Sequence, residues 1–309
     1  MTARFIDCPR FLAELITPEL RALAPDLAIS IGSPTGGEAR AMLAECAIAV
    51  VDHTALDAAT LAACPRLRAI VFMGTGASSY IDLQAAERLG IRVRTIRGYG
   101  DRSVAEHALA LTLAAARKIA AMDRAIRAGG WATLDGIELA GKMLGVVGTG
   151  GIGMEMVRLG AALGMDVIAW NRSGVPAGLP CAAWELDDLL ARADVVSLHL
   201  ALNDQTRGII DRRRIGLLRP GAILVNTARG GLVDEAALTE ALESGRLAQA
   251  GLDVFADEPL AQGHPLTRLD NVTLTGHAGF MTAVASARLL RSAFELVRDE
   301  RAAADRPPP

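Results

Sequence analysis

Leu144-Gly145-Val146-Val147-Gly148-Thr149-Gly150-Gly151-Ile152-Gly153 is the stretch that decides how this chain is read. An apolar run over 144–147 leads into a G-x-G-x-x-G turn, and an amphipathic pattern over 152–163 leads out. Glycines at that spacing are common by themselves. Between a strand and a helix they form the cradle for a dinucleotide pyrophosphate. Gly148 permits the tight turn, Gly150 lets the backbone approach the phosphates, and Gly153 lets helix and strand pack closely. Gly151 and Ile152 begin the helix, whose free N–H groups and partial positive charge face the phosphates.

Working outward, the same alternation of short apolar runs and helical runs continues in both directions. Downstream, strands are predicted at 144–147, 166–170, 195–199, 222–226, 250–254 and 272–275. Helices are predicted between them at 152–163, 185–191, 212–218 and 235–243. That is the strand complement of a dinucleotide-binding sheet. Upstream, strands are predicted at 28–31, 48–51, 69–72 and 91–95, with helices at 10–24, 37–46, 57–63 and 83–89. A long helix over 103–121 follows, with Ser103 as N-cap and Glu106 completing a capping box. Gly129-Gly130 ends that helical run, and a last helix over 282–301 precedes a tail ending in Pro307, Pro308 and Pro309, expected to be disordered. The fold class is therefore α/β, with two doubly wound parallel-sheet domains. A Rossmann domain is expected over 99–281, and a flavodoxin-like domain over 1–98 with 282–309.

Composition narrows the function. The 309 residues are 51% hydrophobic but only 4% aromatic, and the net charge is -3. With a pI near 6.0 there is no electrostatic footprint for nucleic acid or an anionic membrane. The one tight basic run, Arg212-Arg213-Arg214, reads as a solvated helix face. Mean hydropathy is +0.30, yet no apolar run approaches the roughly 20 residues of a membrane helix. No basic n-region followed by an apolar run opens the chain, so no signal peptide is expected. Cys8, Cys46, Cys64 and Cys181 are far apart and lack metal-like spacing, so reduced thiols in a cytoplasmic protein, without metal, are expected.

The chemistry gathers where strands end, which is where open α/β sheets bind ligands. Val225-Asn226-Thr227-Ala228-Arg229-Gly230-Gly231 puts an arginine just past one strand. Gly251-Leu252-Asp253-Val254-Phe255 ends another and runs on to Asp257-Glu258-Pro259. Thr275-Gly276-His277-Ala278-Gly279 ends a third. Arginine, carboxylate and histidine thus converge on one sheet edge. The second strand of the series, 166–170, runs into Asn171-Arg172-Ser173 with no carboxylate to meet a ribose 2′-hydroxyl. Asn171 can hydrogen-bond that hydroxyl and Arg172 can face a 2′-phosphate, so NAD or NADP is expected, with NADP slightly favoured.

This ordered set resembles the D-isomer-specific 2-hydroxyacid dehydrogenase family. The motifs NTARGG, GLDVF with the following EP, and the late histidine carry the resemblance. So do VAEHALAL from Val104, LAGKMLGVVGTGGIG from Leu139, and the GTG of Gly74-Thr75-Gly76. The resemblance implies hydride transfer between a nicotinamide cofactor and a 2-keto or 2-hydroxy acid. It implies His277 as general acid and base, Glu258 as the group orienting it, and Arg229 as the grip on the substrate carboxylate. It also implies that Gly74, Thr75 and Gly76 meet the substrate, Thr75 touching the nicotinamide as well. His199, Leu200, Thr227, Ala228, Asp253 and Gly279 fall at cofactor-contact positions, and Arg229 and His277 lie against both ligands. The 1–98 domain becomes the substrate domain, and a homodimer is implied. His107 is read as structural. A glyoxylate or hydroxypyruvate reductase-like activity leads. A phosphoglycerate dehydrogenase-like enzyme is the alternative, with a non-catalytic NAD(H)-sensing protein behind it. No regulatory domain is expected after 281, which weighs against the longer phosphoglycerate dehydrogenases.

Overall fold

In the computed structural model, which describes residues 2–304, every ladder between named strands is parallel. Strands in such sheets are covered on both faces, so they read as continuous apolar runs rather than alternating ones. The chain divides into two units, one of Met1–Gly100 with Thr282–Pro309 and one of Asp101–Met281.

The first unit holds a five-stranded sheet built from β1 (Ala3–Cys8), β2 (Leu27–Ile31), β3 (Ile48–Val51), β4 (Ala69–Phe72) and β5 (Arg92–Thr95). Its order, β2-β1-β3-β4-β5, is that of the flavodoxin-like doubly wound fold. The fully buried runs Ile48-Ala49-Val50-Val51 and Ala69-Ile70-Val71-Phe72 form its centre. The helices between strands start on side-chain caps: Thr35 with Glu38 in a capping box, Asp57 on Thr60 N–H, and Asp82 on Ala85 N–H. The Ala283–Ala304 helix returns to this unit. Its buried Glu300 accepts from Arg92 at 3.0 and 2.6 Å and from Arg94 at 2.8 Å, which ties the helix to edge strand β5. The proline tail at 307–309 lies outside the described residues.

The second unit holds a seven-stranded sheet: β6 (Met143–Val147), β7 (Asp166–Trp170), β8 (Ala182–Ala183), β9 (Val195–Leu198), β10 (Ile223–Asn226), β11 (Gln249–Leu252) and β12 (Val272–Leu274). The order β12-β11-β10-β9-β6-β7-β8 reverses direction between β6 and β9. In such sheets the ligand crevice opens at that reversal, beyond the carboxyl ends of the strands. The Asp101–Ala116 and Gly151–Ala162 helices cover one face, around Ala105, Ala108, Leu144, Val146, Met156 and Val157. Gly160 and Gly145 bring helices close, since an added Cβ would meet Leu144 and Leu189 respectively. The two doubly wound parallel sheets are the fold class that the sequence implies.

The details differ from the sequence reading in four places. β1 was not predicted, because Arg4 and Asp7 interrupt its apolar run, although it is an interior strand paired on both sides. Asp7 is buried at 5% exposure because the backbone N–H groups of Asp52, His53 and Thr54 donate to it at 2.8–2.9 Å. β8 was also not predicted, being two exposed alanines on a sheet edge. The single helix expected over 10–24 is two, Arg10–Ala13 and Pro18–Leu23, because Pro18 cannot continue the first. The helix expected over 103–121 starts at Asp101, so Ser103 is inside it and Glu106 pairs with Arg102 at 2.7 Å instead of capping. It ends at Ala116. There Ile137 N–H takes the Ala116 carbonyl at 2.9 Å, Lys118 turns to a left-handed φ of 52°, and a second helix, Ile119–Arg127, begins.

Candidate active site

The glycine turn sits between β6 and the Gly151–Ala162 helix. Gly148 has a φ of 98°, and a Cβ there would lie 2.7 Å from the His199 carbonyl and 2.8 Å from Leu200. This joins the turn directly to the end of β9. A Cβ at Gly153 would overlap the Gly148 carbonyl, and one at Gly151 would overlap the Asp101 carboxylate. Burial, and after it the charge of Glu155, raises the Asp101 carboxyl above the usual range. Ile152 packs into the core beside the helix. A Cβ at Gly150 would meet nothing within 4 Å. The glycines at 148, 151 and 153 are therefore explained by the protein's own packing, and Gly150 faces open space.

The polar atoms around the turn fit a dinucleotide. Thr149 Oγ1, His199 Nδ1 and Thr227 Oγ1 are buried and have no hydrogen-bond partner. Leaving such atoms unmet costs about 1–3 kcal/mol each, and the phosphates and ribose of a dinucleotide could meet them. His199 Nε2 is held by Ser197 Oγ at 2.8 Å, and burial pushes the imidazole down to about 4. It is thus neutral near pH 7, with the buried Nδ1 left unmet by the protein's own groups. Past β7, Asn171 turns inward: its Oδ1 accepts from Thr149 N–H at 3.3 Å, and its Nδ2 donates to Ser173 Oγ and the Gly174 carbonyl. Arg172 is exposed beside it.

Past β10, Asn226 clamps the next turn. Its Oδ1 accepts from Ala228 N–H at 3.0 Å and its Nδ2 donates to the Arg229 carbonyl at 3.0 Å. Arg229 follows in extended backbone, with Nη1 donating to the Ala228 carbonyl at 2.6 Å. Gly230 is compressed against Phe255, where a Cβ would overlap backbone.

Past β11, Glu258 Oε1 accepts from Phe255 N–H at 3.0 Å, which fixes the carboxylate and turns Oε2 outward. His277 Nδ1 lies 2.6 Å from that Oε2. Burial pushes the Glu258 carboxyl up. The hydrogen bonds from His277 and Phe255 N–H, with the charges of His277 and Arg229, outweigh it and hold Glu258 below the usual range. Arginine, glutamate and histidine from three strand ends are thus brought together.

Past β12, His277 has a left-handed φ of 52°. That conformation costs a residue with a Cβ roughly 1–2 kcal/mol. Asp253, 1% exposed, holds the turn: its carbonyl accepts from His277 N–H at 2.8 Å, Oδ1 from Ala278 N–H at 2.9 Å, and Oδ2 from Gly279 N–H at 2.9 Å. Burial pushes the Asp253 carboxyl up, but the hydrogen bonds from His107, Thr275, Ala278 and Gly279 hold it below the usual range.

In the first unit, Gly74, Thr75 and Gly76 form the loop after β4. Gly74 has a φ of 152°, donates from N–H to the Phe72 carbonyl at 2.8 Å and accepts from Ile96 N–H at 2.9 Å. Thr75 is exposed.

The sequence reading did not single out Thr149, Asn226 or Thr275, which build this site. The signal was present: each is a short polar side chain at or within two residues of the end of an apolar strand, where burial demands a partner. Among the described residues no group of histidine, cysteine, aspartate or glutamate could hold a metal ion, and no helix is long and apolar enough to cross a membrane.

Comparison with known proteins agrees with this architecture. Residues 109–279 match the family described as D-isomer specific 2-hydroxyacid dehydrogenase, NAD binding domain. D-3-phosphoglycerate dehydrogenase of Mycobacterium leprae is 44% identical over 257 residues, covering 82% of this chain but 48% of that relative. The chain thus spans about half the length of the mycobacterial relatives that it matches. Glyoxylate reductase of Aeropyrum pernix is 40% identical over 252 residues, covering 78% of this chain and 75% of the relative. The solved structure titled acyclic imino acid reductase (Bsp5) in complex with NADPH and D-Arg superposes with a TM-score of 0.87 at 27% identity, over 99% of this chain and 98% of that one. With a family match over more than half its length and relatives of this similarity, the chain belongs to the D-isomer specific 2-hydroxyacid dehydrogenase family.

Proposed function

We propose that this chain catalyses the nicotinamide-dependent reduction of a 2-keto acid to its D-2-hydroxy acid, and the reverse, with His277 as proton donor. The observation that carries the reading is the 2.6 Å contact between His277 Nδ1 and Glu258 Oε2. Ionised Glu258 can only accept, so Nδ1 bears a proton and donates it, and Nε2 is the atom assigned to the substrate. The carboxylate orients the ring and favours its protonated form by charge. In reduction, Nε2 delivers its proton to the substrate carbonyl oxygen; in oxidation it takes one from the hydroxyl. When bound, the reduced nicotinamide supplies the hydride that C2 receives. Arg229 offers a planar set of donors suited to a carboxylate and polarises the adjacent carbonyl. By the family resemblance Gly74, Thr75 and Gly76 are read as substrate contacts, and Gly74 N–H is already engaged with the Phe72 carbonyl.

The 99–281 region is read as the cofactor domain, and 1–98 with 282–309 as the substrate domain. Gly148, Gly150, Gly151, Ile152 and Gly153 would cradle the pyrophosphate. Thr149 and Thr227 hydroxyls and His199 Nδ1 would meet the nucleotide, with Leu200, Ala228, Asp253 and Gly279 lining it. A glyoxylate or hydroxypyruvate reductase-like activity is favoured, since the glyoxylate reductase relative is covered over 75% of its length. NADPH is the preferred cofactor in this reading. Asn171 is engaged inward, no carboxylate stands at 171–173, and exposed Arg172 is free to meet a 2′-phosphate. The four free thiols fit a reducing, cytoplasmic setting.

Initial rates with NADH and NADPH against glyoxylate, hydroxypyruvate, phenylpyruvate and phosphohydroxypyruvate test the reading. Turnover is expected with one of them, faster with NADPH. Arg172→Ala should raise the KM for NADPH by about 10-fold and leave NADH unchanged, the scale of one lost charge-assisted contact. Cofactor binding without oxidation by any keto acid would favour an NAD(H)-sensing protein instead.

The chain is also read as a homodimer. The Ile119–Arg127 helix is strongly amphipathic, yet none of its residues is buried. Ile119, Ile126 and Trp131 are 51%, 53% and 87% exposed, a larger apolar display than a lone helix normally leaves in water. Light scattering should give twice the 32.3 kDa chain mass, and Ile126→Asp should halve it. A monomeric parent protein would refute the dimer.

A further inference from the structure

The contacts behind His277 reach His107, read from the sequence only as structural. His107 lies in the Asp101–Ala116 helix, on a different element from any group proposed for catalysis. Its Nε2 is 3.0 Å from Thr275 Oγ1 and 3.3 Å from Asp253 Oδ1. Thr275 Oγ1 donates its single proton to Asp253 Oδ1 at 2.6 Å. The hydroxyl therefore has only lone pairs to offer His107, and the carboxylate has only lone pairs as well. The proton between them must come from His107 Nε2, which fixes His107 as a donor shared by both oxygens.

The same Asp253 carboxylate carries the N–H groups of Ala278 and Gly279, and its carbonyl carries that of His277. Its hydrogen bonds thus span the left-handed residue on which the proposed proton donor is mounted. The imidazole also lies close to the turn: a Cβ added at Gly279 would be 3.1 Å from Asp253 Oδ2 and 3.6 Å from His107 Cδ2. A buried carboxylate that loses a donor either draws in water or shifts towards its remaining partners. Here either response moves the turn, and with it the ring that must stay within hydrogen-bond reach of Glu258.

We infer that His107 is a positioning residue for His277, acting through Asp253 and Thr275 to hold the left-handed turn in the geometry that presents Nε2 to the substrate. The inference rests on the reading of His277 as proton donor. His107 does not exchange a proton with substrate; it sets where His277 points.

The test is a double-mutant cycle in the full chain, using the keto acid and cofactor that give turnover. His107→Leu is expected to lower kcat by about 10–100-fold, the scale of a catalytic group displaced by about 1 Å. Cofactor affinity, read by NAD(P)H fluorescence, should fall by much less than kcat, because Asp253 and Gly279 keep their places along the nucleotide while the ring of His277 loses its aim. His107→Gln, whose amide N–H can take the place of Nε2, should recover most of the loss and keeps the test available where the leucine variant fails to fold. In a His277→Ala background, His107→Leu should change kcat by less than about 2-fold, since groups acting as a unit are not additive. The inference is overturned if His107→Leu, or His107→Gln and Leu alike, leave kcat near the parent value while His277→Ala abolishes it. It is equally overturned if the two losses multiply. Near-parent turnover in His277→Ala would instead remove the proton-donor reading itself, and this inference with it.

Discussion

Replacing His277 by alanine is expected to lower kcat for keto-acid reduction by about 10²–10⁴-fold, the usual contribution of a positioned general acid. The fold should survive, because histidine and alanine meet a similar penalty of roughly 1–2 kcal/mol at the left-handed φ of 52°. Asparagine tolerates that conformation better than most residues, so His277→Asn provides a second variant with no proton to give. Cofactor affinity should change by less than about 3-fold, placing the loss in the chemical step and not in binding. Glu258→Gln should cost less. It can keep a hydrogen bond to Nδ1 while removing the charge, so its effect isolates the electrostatic part of the pairing. In the parent protein Glu258 is held below the usual carboxylate range, so it stays ionised as pH falls past about 4.3, and its orienting charge fails only beneath that value. Arg229→Ala should both lower kcat and raise KM, because the guanidinium is assigned to the substrate in the ground state and the transition state alike. Single-turnover kinetics on the three variants would separate these effects. Near-parent turnover in His277→Ala would sink the assignment of the proton donor.

Much of this site can be seen in the sequence because parallel sheets place chemistry at strand ends. NTARGG, GLDVF and the late histidine each follow an apolar run, and β10, β11 and β12 are neighbours in the sheet. Convergence of Arg229, Glu258 and His277 therefore follows from strand order alone. What strand order does not fix is how the loops close. The 2.6 Å contact between residues 258 and 277 depends on a left-handed turn at a non-glycine residue, which spacing does not announce. That turn depends in turn on Asp253, whose partners come from the strand ends and from a helix more than a hundred residues earlier. β1 escaped for a related reason. Its Asp7 looks like an interruption until the N–H groups at the end of β3 are found aimed at it. The helix break at 117–118 is likewise imposed from outside, by the returning segment that takes the Ala116 carbonyl. Local pattern read the elements well; polar closures between distant segments were beyond it.

Gly150→Ala and Gly153→Ala differ by one methyl group each, three residues apart, and are expected to fail in different ways. A Cβ at Gly153 would overlap the Gly148 carbonyl, so the Gly151–Ala162 helix must move away from the turn to accept it. Both stability and dinucleotide affinity should fall, the first by roughly 1–3 kcal/mol, as overpacking in a close contact usually costs. Gly150 is another matter. Its φ of -69° suits alanine, and a Cβ there meets nothing within 4 Å. Alanine at an N-cap loses about 0.5–1 kcal/mol relative to better caps, and restricting the unfolded chain returns about 0.4–1 kcal/mol. Stability should therefore stay within about 0.5 kcal/mol of the parent. If the open space above Gly150 is where the pyrophosphate lies, the same methyl group should cut NAD(P)H affinity by about 10–10³-fold, through lost backbone contact at the helix N-terminus. Fluorescence titration and thermal unfolding on the two variants read both quantities. Gly150→Ala binding NAD(P)H like the parent would show that the space is not the cofactor's, and the role of the whole glycine turn would then reduce to packing.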